Sequence, residues 1–129
     1  MPMELFGWFK ELPDALPDAP SVALYQADEP LEDKIRIIDY LVSGSVVAAG
    51  IGDMAVDALS EEHEEICPLG VLSDGVWAWP SHLAYYVAAH GVRPPYEFVE
   101  HMRSNGWNVP LLDASDIDRV VGELFGAQR

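Results

Sequence analysis

The chain has 129 residues, one cysteine and a formal charge of −15, with 50% hydrophobic and 10% aromatic residues. That length fits one domain over 1–129, large enough to bury a core without a disulfide or metal staple. The aromatic content excludes acidic disorder, and the apolar runs fall short of the roughly 18 residues of a membrane span.

The opening MPMELFGWFKEL has no basic stretch followed by an apolar one, so it does not read as a signal peptide. Cys67 has no partner cysteine. Both features point to a reducing, cytoplasmic setting. The charge is uneven. Residues 1–66 carry 15 acidic against 3 basic side chains, a balance of −12, and residues 67–129 carry 7 against 4, a balance of −3. Such a surface repels phosphate backbones and anionic lipid. Nucleic acid and membrane are therefore disfavoured as partners, and a basic protein is favoured because opposite fields raise the encounter rate. An acidic surface also serves solubility alone.

In chain order, Met3–Leu12 reads as a short helix or turn carrying Leu5, Phe6, Trp8 and Phe9. The run Leu12-Pro13-Asp14-Ala15-Leu16-Pro17-Asp18-Ala19-Pro20 breaks regular structure, because each proline removes a donor and fixes φ. It reads as a loop over the core, and Val22–Tyr25 as a short extended piece, so residues 1–30 are expected to be irregular. Asp28-Glu29-Pro30 signals a helix start. The helix predicted over Leu31–Ser43 has Leu31, Ile35, Ile38 and Leu41 as its apolar stripe, Val42 beside it, and Gly44 as its stop. Ser45–Ile51 reads as a buried strand, Gly52-Asp53 as a turn, and Met54–Leu59 as either strand or helix.

Ile66–Ser73 and Val76–Trp79 flank Asp74-Gly75. That pattern predicts a tight hairpin of type I′, which needs positive φ at both central residues. Alternation puts Trp77 and Trp79 on one face, with Val76 and Ala78 on the other. Pro80 ends the strand, and Ser81 or Pro80 opens a helix that Gly91 closes. Leu83, Tyr86, Val87 and His90 share its inner face, and Tyr85 points to a rim. Tyr96–Asn105 reads as a helix with Phe98, Val99 and Met102 inward and Gly106 as stop. Trp107–Leu112 crosses back. Asp113 to Ser115 caps a last helix with the stripe Ile117, Val120, Val121 and Leu124, and residues 126–129 fray.

Motifs that carry chemistry are missing from the sequence. Gly50-Ile51-Gly52 lacks the third glycine and the Lys-Ser/Thr of phosphate-binding loops, and HExxH, CxxC and GxSxG do not occur. Cys67 follows a run of glutamates that pushes a thiol pKa the wrong way for a nucleophile, so it reads as a small hydrophobe. The run Ser60-Glu61-Glu62-His63-Glu64-Glu65 reads as a solvated turn rather than a metal centre, since these ligands cannot converge on one point. No metal and no cofactor are expected. As a contact patch for a basic partner, the candidates are Asp53, Asp57, Glu61, Glu62, Glu64 and Glu65, with Tyr85 as an aromatic anchor. Asp74 is explained by its turn. His82, His90 and His101 read as core or helix-end histidines.

Asp74-Gly75-Val76-Trp77-Ala78-Trp79-Pro80, then Leu83, Tyr85-Tyr86-Val87 and Pro95-Tyr96-Glu97-Phe98, form a DGxWxWPxxLxYYV pattern. It resembles a set of small acidic bacterial proteins, some of which are similar to immunity proteins that neutralise polymorphic or contact-dependent toxins. The resemblance covers about residues 72–110 and implies no catalytic residue.

The expected fold is α+β, with a small antiparallel sheet built on Ser45–Ile51 and the Ile66–Trp79 hairpin, packed against three or four helices. The expected function is non-enzymatic occlusion of a basic protein partner. The alternative is a small enzyme or ligand-binding domain with a pocket between the hairpin tryptophans and the next helix, formed by Trp77, Trp79, His82, Tyr86 and His101. A concave pocket with a histidine and a carboxylate in hydrogen-bond reach would favour that alternative. A large apolar surface patch would favour a homodimer.

Overall fold

The computed structural model describes residues 3–12, 15–16 and 18–125. Nine elements follow in chain order: β1 (Glu4–Leu5), a 3-10 turn (Val22–Tyr25), α1 (Lys34–Val42), β2 (Ser45–Val56), β3 (Glu65–Ser73), β4 (Trp77–Pro80), α2 (Leu83–His90), α3 (Tyr96–Ser104) and α4 (Ala114–Phe125). The architecture is α+β. The four strands form one sheet in the order β1-β4-β3-β2.

The β2–β3–β4 meander is antiparallel, as the turn signals imply. β1 pairs with β4 in parallel, so the sheet is mixed. The helix expected over Met3–Leu12 is therefore corrected to a strand at its start, while a turn does close its end, where Leu12 N donates to Phe9 O at 3.0 Å. β4 would otherwise expose a row of unpaired main-chain groups. Glu4 N donates to Val76 O at 3.0 Å and Phe6 N to Ala78 O at 3.2 Å, which covers that edge. Phe6 and Phe9 are buried and meet edge to face at 5.5 Å, and Phe6 meets Tyr25 at 4.8 Å. Lys10 N donates to Pro20 O, closing the proline-rich run into a loop, although 13, 14 and 17 lie outside the described residues. Val22–Tyr25 is a 3-10 turn rather than extended, with Ser21 Oγ accepting from Ala23 N.

β2 is longer than expected and takes in Met54–Val56, which resolves the ambiguity there in favour of strand. Between the pairs Ala49↔Gly70 and Met54↔Pro68, β2 advances five residues and β3 only two. The extra residues bulge the outer strand and interrupt its exposed edge. β2 is only half buried, with Val47 inward and Val46 60% exposed.

The β3–β4 turn is not of type I′. Gly75 has φ +97°, while Asp74 is not among the positive-φ residues. Asp74 N donates to Trp77 O at 3.2 Å, so Gly75-Val76 are the central pair. The Asp74 carboxylate is committed to capping that turn, and the glycine takes the one left-handed position.

Trp79 is fully buried at the centre of the core, and its indole N donates to Leu41 O at 2.9 Å. Trp77 stacks on Phe98 of α3 with centroids 4.4 Å apart and planes 5° off parallel. α1 starts at Lys34 rather than Leu31, after Asp33 in a left-handed conformation. Its buried face is Ile37, Tyr40 and Leu41, while Ile35 is 76% and Val42 60% exposed. The expected stripe is thus turned toward Tyr40, whose ring packs 6.1 Å from Trp79. Leu41 belongs to both faces, and Leu31 and Ile38 pack partly buried against the core, so the expected stripe fails at Ile35, where the aromatic seat beside Trp79 brings Tyr40 inward instead.

α2 and α3 follow the sequence closely. Leu83, Tyr86, Val87, Phe98 and Met102 are all fully buried. Gly91 ends α2 at φ +68°, and its N–H closes onto Tyr86 O. α4 opens with a reciprocal cap, Asp116 N to Asp113 Oδ1 and Asp113 N to Asp116 Oδ2. It packs against β2 and buries Val120. The fraying expected for 126–129 lies outside the described residues.

The rotation of α1 gives a direct test. Ile37→Ala should lower unfolding free energy by about 2–5 kcal/mol through cavity formation. Ile35→Ala should change it by no more than about 0.5 kcal/mol. Urea midpoints of the two variants check this, and a larger loss at Ile35 would restore the expected stripe.

Candidate functional site

Two buried aspartates organise the polar interior in the same way. Asp57 follows β2 and is 2% exposed. Its Oδ1 accepts from Leu59 N at 2.9 Å and Ser60 N at 3.1 Å, which shapes the turn after β2. Its Oδ2 accepts from the Tyr85 hydroxyl at 2.7 Å and lies 2.7 Å from His90 Nε2. A carboxylate has no proton to give, so Nε2 carries the hydrogen whether the ring is neutral or charged. Next to it, the Tyr86 hydroxyl donates to Val56 O and accepts from Ala58 N, both at 3.0 Å. The Tyr85-Tyr86 pair of α2 therefore clamps the start of the β2–β3 connection.

Asp74 repeats the arrangement at the other end of β3. Its side chain is wholly buried. Its Oδ1 accepts from Val76 N at 2.9 Å and Trp77 N at 2.7 Å. Its Oδ2 accepts from the Tyr40 hydroxyl at 2.6 Å and lies 3.1 Å from His101 Nε2. Asn105 Nδ2 donates to the Tyr40 oxygen at 3.0 Å. This cluster ties the hairpin turn to α1 and α3.

The electrostatics follow from these contacts. Burial pushes the Asp57 carboxyl up, but the bonds from Tyr85, His90 and Leu59 outweigh it and hold the group below the usual carboxylate range. Tyr85 is pushed up to about 12, first by its bond to Asp57 and then by burial. Tyr40 is raised by burial and by its bond to Asp74, against a smaller lowering from Asn105. An ionised carboxylate offers about four lone-pair sites. Asp57 has all of them engaged, and Asp74 accepts three hydrogen bonds, with His101 Nε2 standing 3.1 Å from its Oδ2.

The site residues expected from sequence divide sharply. Glu61, Glu62, Glu64 and Glu65 are exposed along the β2–β3 connection and the start of β3, and Asp53 is exposed on β2. Asp57 is buried beneath them, which corrects its place among the contact residues: it shapes the acidic loop from inside. Tyr85 is half buried with its hydroxyl bound to Asp57. The pocket expected between the tryptophans and α2 is also corrected. Trp79 and Tyr86 are fully buried and His82 is 3% exposed, so that space is packed core. Trp77 and His101 do line an open depression of about 330 Å³, in company with Glu4 and Glu97. His90 lines another, of about 530 Å³, with Gln26, Asp28, Lys34 and neighbouring residues. Tyr40, Asn105, Glu4 and Glu97 were not singled out from sequence. The turn chemistry of Asp74 was the signal that pointed toward its cluster, and the sequence offered none for that of Asp57.

Among the described residues no three His, Cys, Asp or Glu side chains are grouped to hold a metal ion. Among them, too, no helix is long and apolar enough to cross a membrane. Fold and site together define an acidic α+β domain with two aspartate-centred braces. Compared with known proteins, the chain matches no family model, no curated protein and no solved structure.

The Asp57 brace has a pH signature. The carboxyl is more acidic folded than unfolded, so its contribution is present above the ordinary value of 3.8 and is lost as pH falls through the folded value. Asp57→Asn should cost about 1.5–3 kcal/mol at neutral pH, and its gap from the native chain should narrow in denaturation curves at about pH 3. Tyr85 works in the opposite direction. Its bond stabilises fully below its ordinary value of 10.0 and is lost as pH rises toward about 12. The gap between Tyr85→Phe and the native chain should therefore close across that alkaline window, and a pH-independent gap would rule out the bond as its source.

Proposed function

We propose that this chain is a non-enzymatic binding protein that receives a basic protein partner on its acidic surface and acts by occluding it. One observation carries the reading: Glu61, Glu62, Glu64 and Glu65 are exposed on a connection whose root is clamped from inside by Asp57, Tyr85 and Tyr86. A braced loop presents its charges in one arrangement, so less ordering cost falls on binding. None of the four forms an ion pair among the described residues. Their field speeds encounter and sets specificity. In its finer form the reading makes the partner a toxin and this chain an immunity-like protein of a bacterial cytoplasm. The resemblance of residues 72–110 and the lone Cys67 support that form.

A second reading, a small-ligand domain, is favoured by the depression beside His101. Against an enzyme stands the commitment of Asp74, the buried carboxylate behind that histidine, to Val76 N, Trp77 N and the Tyr40 hydroxyl.

The test is capture from host lysate at about 50 mM salt, where screening is weak, followed by a salt gradient. The expected result is one basic protein released in a salt step, with at least a tenfold loss of capture in E61K/E62K/E64K/E65K. Circular dichroism would confirm that this variant is folded. Retention unchanged by the charge reversal would overturn the reading.

A further inference from the structure

The depression between β1, β4 and α3 has rigid walls and two uncommitted charges. Glu4 sits in register with Trp77 across the parallel pair, and its main chain is held to Val76. Glu97 stands in the first turn of α3. Neither glutamate side chain makes an ion pair among the described residues. Trp77 is pinned flat against Phe98, and His101 is held at 3.1 Å by Asp74. The space, about 330 Å³, suits a single side chain.

Two carboxylates beside an aromatic wall discriminate between cations. An ammonium is a compact, strongly hydrated charge. A guanidinium is planar, forks onto carboxylates and stacks on rings. The protein uses the same chemistry within itself. The guanidinium groups of Arg36 and Arg103 lie 5.9 Å and 5.5 Å from the Trp107 ring centroid, and Arg103 also pairs with Glu100 and Asp33.

We infer that Glu4, Trp77, Glu97 and His101 form a seat for an arginine side chain of the basic partner. This rests on the binding reading above and names the partner's anchor. The seat and the Glu61–Glu65 loop lie at opposite ends of β3, so the two surfaces can be tested apart.

The experiment is a ¹H–¹⁵N NMR titration with N-acetyl-arginine amide, compared with N-acetyl-lysine amide. Saturable shifts of the Trp77 indole N–H and the Glu97–His101 amides are expected, with the lysine compound several-fold weaker. Both glutamates are exposed, so E4Q/E97Q should stay folded and bind the arginine compound about five-fold more weakly, the scale of exposed ion pairs. Shifts confined to Glu61–Glu65, equal response to lysine, or an unchanged E4Q/E97Q titration would each overturn the seat. If the probe saturates this depression while lysate capture fails, the seat stands and the partner reading falls. If capture depends on Glu61–Glu65 and the probe finds no seat, only the seat falls.

Discussion

A carboxylate taken out of water must have its lone pairs engaged or it will not stay ionised. Asp57 meets that requirement, and Asp74 is bound by the same division of labour. One oxygen caps two main-chain N–H groups of the residue's own turn, and the other takes a tyrosine hydroxyl and faces a histidine Nε2 from distant helices. The turn is set locally, and its position relative to the helices is set by the second oxygen. Both ends of β3 are anchored this way, and the surfaces of interest lie directly over the two anchors.

The apolar core and these polar braces depend on one another. Tyr40 contributes its ring to Trp79 and its hydroxyl to Asp74. Tyr86 is wholly buried and still reaches the backbone of Val56 and Ala58. In each case a large aromatic body fills the core while its polar tip finds a partner, which is how buried tyrosine avoids an unsatisfied hydroxyl. The rotation of α1 is a consequence. Placing Tyr40 inward leaves Ile35 in water, an exchange that gains an aromatic contact and a charged hydrogen bond.

The charge that dominates the composition is kept where it costs little. The glutamates of the β2–β3 connection are solvated, and the buried Asp57 and Asp74 accept four and three hydrogen bonds. Arg36 and Arg103 meet over Trp107 among acidic neighbours, Arg119 pairs with Glu123, and Lys34 and Arg93 donate to main-chain carbonyls. The acidic field toward solvent is left largely uncompensated, which agrees with the proposed attraction of a basic partner.

Local chemistry made much of the fold legible. Helical periodicity with glycine stops placed α2 and α3 within a residue or two, and Asp113 marked the cap of α4. Turn residues between apolar runs placed the β3–β4 hairpin. Those signals act within a few residues and are therefore written in the sequence itself. The parallel pairing of β1, the turning of Tyr40 inward and Ile35 outward on α1, and the seating of Tyr40 and His101 on Asp74 were decided only in the folded molecule. So was the burial of Asp57, whose tyrosine and histidine partners lie 28 and 33 residues away. A buried charge is stabilised by whatever donors the packing brings to it, and no local pattern encodes a meeting across that distance.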